Sequence, residues 1–266
     1  MRRRGNISVT IVISTANERV QALNLKPERK GFFYVIVHQV YGNDITDLAL
    51  PNSISRDDVT YVRLDYPGLS KSRNVGISFV KTKYFYIMDD DVNFNLNQLD
   101  KLIDWMDSNQ VDVSTSKFVL ENGSYPKEYK AHPFKHTFIS AAKVSSIEIC
   151  AKTEVIKNSG VLFDVNFGLG SELPSGEEYI FITDCIKSDL KVWFSPVTIG
   201  VHPNETSGRD FYTAPNKALA KREMLTRIFG RKAFVFIFAF WLKKIPIVIK
   251  AGYFWQFSKA MLLGTK

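Results

Sequence analysis

Four short runs of β-branched and aromatic residues crowd into the first 90 positions: Val9–Ser14, Gly31–Val40, Val59–Leu64 and Tyr84–Met88. Between the first two, Asn17–Leu25 predicts a helix that stops ahead of Pro27, and Ser70–Val80 predicts another after Pro67-Gly68. Strands that alternate with helices favour a parallel sheet with right-handed crossovers. The expected fold is α/β, a mostly parallel, Rossmann-like central sheet flanked by helices. With 266 residues, 45% of them hydrophobic, the chain is long enough for one full core. Further along, Leu96–Ser108 has helical spacing, with Leu99, Leu102, Ile103 and Met106 on one face. Strands are expected at Val111–Val119, Ile147–Ala151, Val192–Phe194 and around Val197–Val201. Glu121–His136 reads as a polar loop, a short helix runs to Ser159, Val161–Glu177 is rich in glycine and turns, and Glu178–Leu190 is a helix.

The fourth run ends abruptly in Asp89-Asp90-Asp91. Like charges packed together are costly unless a cation joins them or solvent screens them. Carboxylates at a strand end suit a hard divalent ion, Mg²⁺ or Mn²⁺, shared with substrate phosphates. In an extended segment residues i and i+2 point the same way, so Asp89 and Asp91 are expected to converge on the ion while Asp90 turns aside. A solvated acidic turn is the plain alternative. In open α/β sheets ligands bind outside the carboxyl ends of the strands, where the triplet falls.

Three other segments carry chemistry. The helix start at Pro67–Ile77 holds Lys71 and Arg73, an anion site or simply a capped helix. Phe163–Glu178 is a glycine-rich loop that delivers Glu177 and Glu178 to a helix start, either as helix-dipole partners or as a general base for a hydroxyl. In His202–Arg209, His202 could ligate the metal and Arg209 could cover a diphosphate. His132 and His136 have i,i+4 spacing, but Pro133 between them argues against a helical zinc pair. No Walker loop or serine elbow is present.

The formal charge is +8, which suits an anionic partner such as nucleic acid, acidic lipid or a phosphorylated substrate. Cys150 and Cys185, both in apolar segments, read as buried thiols in a reducing compartment. Met1-Arg2-Arg3-Arg4 precedes a strand-like alternation rather than a secretion segment, so the expected location is the cytoplasm. The tail changes character. Basic Arg227–Lys232 precedes ten apolar residues, Ala233–Leu242, followed by Lys243-Lys244, Pro246 and a mixed apolar–basic stretch. A membrane span needs about 20 apolar residues. An interfacial segment fits better, Lys and Arg facing lipid phosphates and Phe and Trp in the acyl boundary. A helix packed on the domain, or in a homo-oligomer, is the alternative. The division expected is a domain at 1–226 and a basic, aromatic helical extension at 227–266.

Taken together, these segments resemble family-2 glycosyltransferases of the GT-A fold, over roughly Val9 to Arg209. The resemblance rests on a strand followed by Thr15-Ala16-Asn17-Glu18-Arg19, on Ser72-Arg73-Asn74-Val75-Gly76, on Ile87-Met88-Asp89-Asp90-Asp91, and on Gly176-Glu177-Glu178 ahead of a helix. It implies a GT-A-type sheet, a nucleotide-diphosphate sugar donor with UDP foremost, Mn²⁺ or Mg²⁺ as cofactor, and inversion at the anomeric carbon. It also implies that Thr15, Asn17, Arg19, Lys71, Arg73 and Asp90 serve the donor, that Asp89 contacts ribose or sugar, and that Asp91 holds the metal. The family's Glu-Asp motif falls on Glu177-Glu178, so Glu178 takes the role of base. Glu is one methylene longer than Asp, and Glu177 could serve instead. The family often has Asp after its second strand, against the nucleotide base; this chain has His38–Asp44, where Gln39 can still bond a base edge. The acceptor expected is a glycan or lipid-linked hydroxyl in bacterial surface polysaccharide synthesis, reached at the inner membrane face. Two other classes are the alternatives, a Mg²⁺-dependent phosphohydrolase and a non-catalytic basic module for lipid or nucleic acid. No nucleic-acid-binding motif is visible.

Overall fold

The strand β1 (Val9–Ala16) lies inside the parallel half of one sheet, bonded to β2 (Phe32–Gln39) on one side and to β4 (Tyr84–Asp89) on the other. β3 (Val59–Leu64) extends this half beyond β2, also parallel. The computed structural model describes residues 8–42, 49–204 and 215–265. Past β4 the sheet continues through β8 (Ile149–Lys152), β6 (Val113–Leu120), β9 (Val192–His202) and β5 (Asn93–Phe94), and β7 (Phe134–Lys135) pairs with β9. β8 is antiparallel to both β4 and β6, β9 is parallel to β6, and β5 and β7 run antiparallel to β9. The sheet is mostly parallel, as expected, with short antiparallel strands added.

Strict two-residue alternation explains why the parallel strands read as continuous apolar runs. Ile11, Ile13, Tyr34, Ile36, Tyr86 and Met88 enter the core on one face, where α2 (Leu96–Ser108) buries Leu99, Leu102, Ile103 and Met106. Val12, Val35, Val37, Phe85 and Ile87 enter the core on the other. That second core also holds side chains of α4 (Thr153–Ser159), α5 (Glu177–Lys187), α6 (Pro215–Phe229), α7 (Ala233–Lys250) and α8 (Phe254–Ser258), and Ala141 of the one-turn α3 (Phe138–Ala141). The extension therefore shares a core with the sheet, and α6 runs across residue 226. α1 (Leu69–Phe79) lies close to β1 because Gly76 has no side chain; a Cβ there would sit 2.3 Å from Val12 Cγ1. Asn95 caps α2, its Oδ1 accepting from the Asn97 N–H at 2.9 Å.

Several boundaries differ from the sequence expectation, each for a local reason. Asn17–Ala22 is a short 3₁₀ helix: Asn17 is left-handed at φ 49, and the turn ends ahead of Pro27. Val192–Phe194 and Val197–Val201 belong to one strand, β9. Pro196 lies inside it, and the β6–β9 register shifts there, from Thr115 opposite Phe194 to Lys117 opposite Thr198. Phe134-Lys135, read as loop, pairs with β9, while Ser146–Glu148 forms a 3₁₀ turn before β8. Two-residue strands such as β5 and β7 have no periodicity to read.

From β1 the chain moves outward through β2 and β3, then returns through α1 to β4 on the other side of β1. This reversal opens a crevice over the carboxyl ends of β1, β2 and β4.

Candidate active site

A cleft of about 540 Å³ occupies that crevice. β1 contributes Ser14, Thr15 and Ala16, the following 3₁₀ turn Arg19, and β2 Gln39 and then Tyr41. Gly68 and Leu69 come from the start of α1, Leu169 and Gly170 from the glycine-rich loop, and His202 from the end of β9. Asp89, Asp90 and Asp91 complete the wall. The volume is in the range usual for small-ligand sites.

The acidic triplet does not continue the alternation of β4. Asp89 ends the strand, while Asp90 and Asp91 lie in the turn beyond it. The three carboxylates consequently face three environments. Arg73 Nη2 donates to Asp89 Oδ1 at 3.2 Å. Asp90 accepts from Thr15 Oγ1 at 2.6 Å, from Arg19 Nε at 3.0 Å and from Arg19 Nη2. Burial pushes the Asp90 carboxyl up, against the pull of those hydrogen bonds. Asp91 is the most open, its side chain 41% exposed, and accepts from Arg19 Nη2 at 3.2 Å. Thr15 and Arg19 thus hold the triplet from the β1 side.

His202 Nε2 lies 4.0 Å from Asp91 Oδ1. Its Nδ1 bonds the Pro203 carbonyl at 2.8 Å, and a carbonyl can only accept. Nδ1 therefore donates, and Nε2 is the ring nitrogen on the side of Asp91. Among the described residues no three His, Cys, Asp or Glu groups gather closely enough to hold an ion alone. Asp91 and His202 offer two donors of the types such an ion takes, 4.0 Å apart. Mg²⁺ and Mn²⁺ commonly take one or two protein donors and complete their shells with phosphate oxygens and water. The residues fit that use, with Asp89 engaged by Arg73.

Arg73 joins the cleft to the two glutamates. It is 1% exposed, and its Nη1 donates to Glu177 Oε1 at 3.1 Å and lies 3.9 Å from Glu178 Oε1. The guanidinium also sits over the Phe163 ring at 5.4 Å. Burial opposes its charge, but Asp89, Glu177 and Glu178 outweigh that cost and raise its pKa. Glu177 is itself buried and backs onto Gly168. Glu178 keeps 22% of its side chain exposed. Burial first, then the neighbouring Glu177 charge, push the Glu178 carboxyl up to about 8. Lys221 of α6 acts on it electrostatically, and its own pKa is lowered by burial. The two carboxylates do not line the cleft described above; they reach it through Arg73.

The glycine-rich loop closes on the start of α1. Leu69 N–H donates to the Leu169 carbonyl at 2.9 Å, and Ser70 Oγ to the Phe167 carbonyl at 2.6 Å. Gly170, at φ 79, comes so near that a Cβ would sit 2.9 Å from the Gly68 nitrogen. Gln39 Oε1 accepts from the Gly68 N–H at 2.7 Å, so its carbonyl end is committed to the loop. Asn17 Oδ1 accepts from the Tyr41 N–H at 3.1 Å. The Asn17 carbonyl accepts from His38 Nε2 at 2.9 Å, and His38 Nδ1 accepts from the Tyr61 hydroxyl at 2.7 Å. Burial lowers the His38 pKa and keeps this neutral tautomer in place.

The sequence-predicted residues Thr15, Arg19, Gln39, Asp89, Asp90, Asp91 and His202 thus meet around one cleft. Arg73, Glu177 and Glu178 sit behind it, and Asn17 supports its rim. Lys71 is exposed and lies over the Tyr66 ring at 5.6 Å, outside the cleft wall. Arg209, Asn43 and Asp44 fall outside the described residues. Sequence reasoning missed Ser14 and Tyr41, which flank motifs it did single out, and Lys221, one basic residue in a basic helix with no distinguishing signal. His136, at i+4 from His132, is buried and bonded to Thr115 Oγ1 at 2.8 Å and Ser140 Oγ at 3.1 Å.

Residues 44–162 match the model of the family described as Glycosyl transferase family 2. No curated protein matches the chain. Several crystal structures of S. aureus TarS are similar. One aligns with 85% of this chain and 44% of that chain, at 17% identity and a TM-score of 0.56. The TarS 1–349 structure in complex with UDP-GlcNAc aligns with 96% of this chain and 82% of that chain, at 18% identity and a TM-score of 0.58. The same fragment in complex with UDP aligns with 96% and 81%, at 19% identity and a TM-score of 0.56. This chain therefore spans less than half of the longer TarS chain. Likeness at these identities concerns the fold, a central sheet flanked by helices with a helical extension.

Proposed function

We propose that this family-2 glycosyltransferase of the GT-A fold moves a sugar, with inversion, from a nucleotide-diphosphate donor to a hydroxyl of a glycan or lipid-linked acceptor. UDP is the favoured nucleotide, since the similar TarS fragment binds UDP and UDP-GlcNAc. The pathway suggested is bacterial surface polysaccharide assembly. The observation that carries the reading is the cleft, where three carboxylates, a histidine ring nitrogen and a helix start converge at the strand ends.

Asp91 and His202 would hold Mg²⁺ or Mn²⁺, which, when bound, neutralises charge on the departing diphosphate. Asp90 is fixed by Thr15 and Arg19 and keeps the turn in register. Asp89 is steadied by Arg73 at the edge where ribose or sugar would lie. Glu178 takes the proton from the attacking hydroxyl. A carboxylate poised near neutral pH suits that role, and its neighbour Glu177 is committed to Arg73. No covalent intermediate on the protein is required.

The test is a thermal-shift screen of nucleotide diphosphates and their sugars with and without Mn²⁺, on wild type and Asp91→Ala. A ligand that binds only the folded state raises its stability. The expected outcome is a Mn²⁺-dependent shift with one nucleotide, absent in Asp91→Ala. No shift with any nucleotide would sink the donor reading.

A further inference from the structure

We propose that α7 is a docking face for an anionic lipid surface; this stands apart from the transferase reading. α7 is apolar around most of its circumference, yet only one side of it is covered. Ala233, Ile237 and Val248 are buried in the core. On another side Phe234 is 71% exposed, Phe238 51%, Leu242 48% and Ile249 58%. At 3.6 residues per turn these four positions fall within an arc of about 80°, a continuous apolar stripe. A helix hydrophobic all round is ordinarily enclosed, and an exposed apolar stripe marks an interaction surface. Trp255 and Leu263, in the helical turns that follow, are also exposed.

Charge selects the occupant. Glu223 is the last acidic residue of the chain. After it come eight cations and no carboxylate: Arg227, Arg231, Lys232, Lys243, Lys244, Lys250, Lys259 and Lys266. The whole formal charge of +8 therefore resides in the last 43 residues, and the first 223 balance to zero. Exposed Lys243 and Lys250 border the stripe on one side. A second copy of the chain, related by a two-fold axis, would bring this patch against itself and oppose exposed Lys243 and Lys250 to the same cations of its partner. An anionic bilayer accepts both parts, the cations at its phosphates and the apolar stripe at the acyl boundary. Among the described residues no helix is long and apolar enough to cross a membrane, so α7 would lie in the interface plane.

The experiment is flotation of the full chain with vesicles of phosphatidylcholine alone or mixed with phosphatidylglycerol, with Trp255 emission, taken as the difference from Trp255→Phe because the chain holds three other tryptophans, as a second readout. Wild type, Phe234→Ser/Leu242→Ser and Lys243→Glu/Lys250→Glu are compared. The replaced side chains are exposed, so the fold is retained, and the melting temperature of each variant without ligand checks this independently. The expected result is binding only to the anionic vesicles, with a blue shift of Trp255, and a loss of at least about tenfold in each double variant. Binding that survives the serine variant would reduce the face to simple charge adhesion and overturn the proposal. Absence of vesicle binding with a dimer that the serine variant dissolves would assign the stripe to a second copy and overturn it equally.

Discussion

Glu178 and Arg73 set the chemistry of the site at the scale of single residues. An unfolded glutamate titrates near pH 4.3. In the folded protein burial and Glu177 raise Glu178 to about 8. Between those values the native state keeps a proton that the unfolded state has lost, so this group's contribution to stability falls as pH rises and is fully lost above about 8. Glu178→Gln removes that slope. Its melting temperature relative to wild type should be higher at pH 9 than at pH 4, measured by calorimetry across that range. The same substitution should lower sugar transfer about 10²–10⁴-fold while nucleotide binding persists. Arg73 holds three carboxylates from a buried position, and no water competes for it. Arg73→Met should cost about 3–5 kcal/mol in urea unfolding, since it leaves buried carboxylates unpaired. Lysine should not restore the loss, because one ammonium cannot reach Asp89 and Glu177 in two directions.

The elements were legible wherever periodicity governed them. β1 to β4 and α1 follow from alternation and helical spacing, and α2 matches its four-residue face because Leu99, Leu102, Ile103 and Met106 have no other surface to bury. The place of Asp89–Asp91 was legible because carboxyl strand ends share one edge of a parallel sheet, whereas Thr15 and Arg19 entered through the family resemblance. What escaped was set by single contacts. The left-handed Asn17 shortens a predicted helix to a 3₁₀ turn, and Pro196 sits at a register shift within a strand that continues past it. The place of Lys71 over the Tyr66 ring, outside the cleft, is a contact that spacing does not reveal. Packing between elements is equally local. Gly76→Ala should gain helix propensity of about 1 kcal/mol, yet the Cβ would meet Val12 at 2.3 Å. Overpacking of about 1–3 kcal/mol should win, giving net destabilisation in chemical denaturation. Val12→Ala in the same chain should recover part of it, as a double-mutant cycle would measure.

Across the whole molecule, the sheet and the C-terminal helices share one core while their charges divide unequally. The first 223 residues are neutral overall, and the final 43 hold every excess cation. Such a particle is a dipole as well as a cation. Near a negatively charged plane it feels a torque that turns α6–α8 inward before any contact forms. Arrival and departure would then answer to different forces. Added salt should slow capture steeply, because the aligning field decays within about 10 Å at 0.1 M. The lifetime of the captured state, set by Phe234 and its neighbours in the stripe, should change little, and stopped-flow Trp255 fluorescence over a salt series would separate the two.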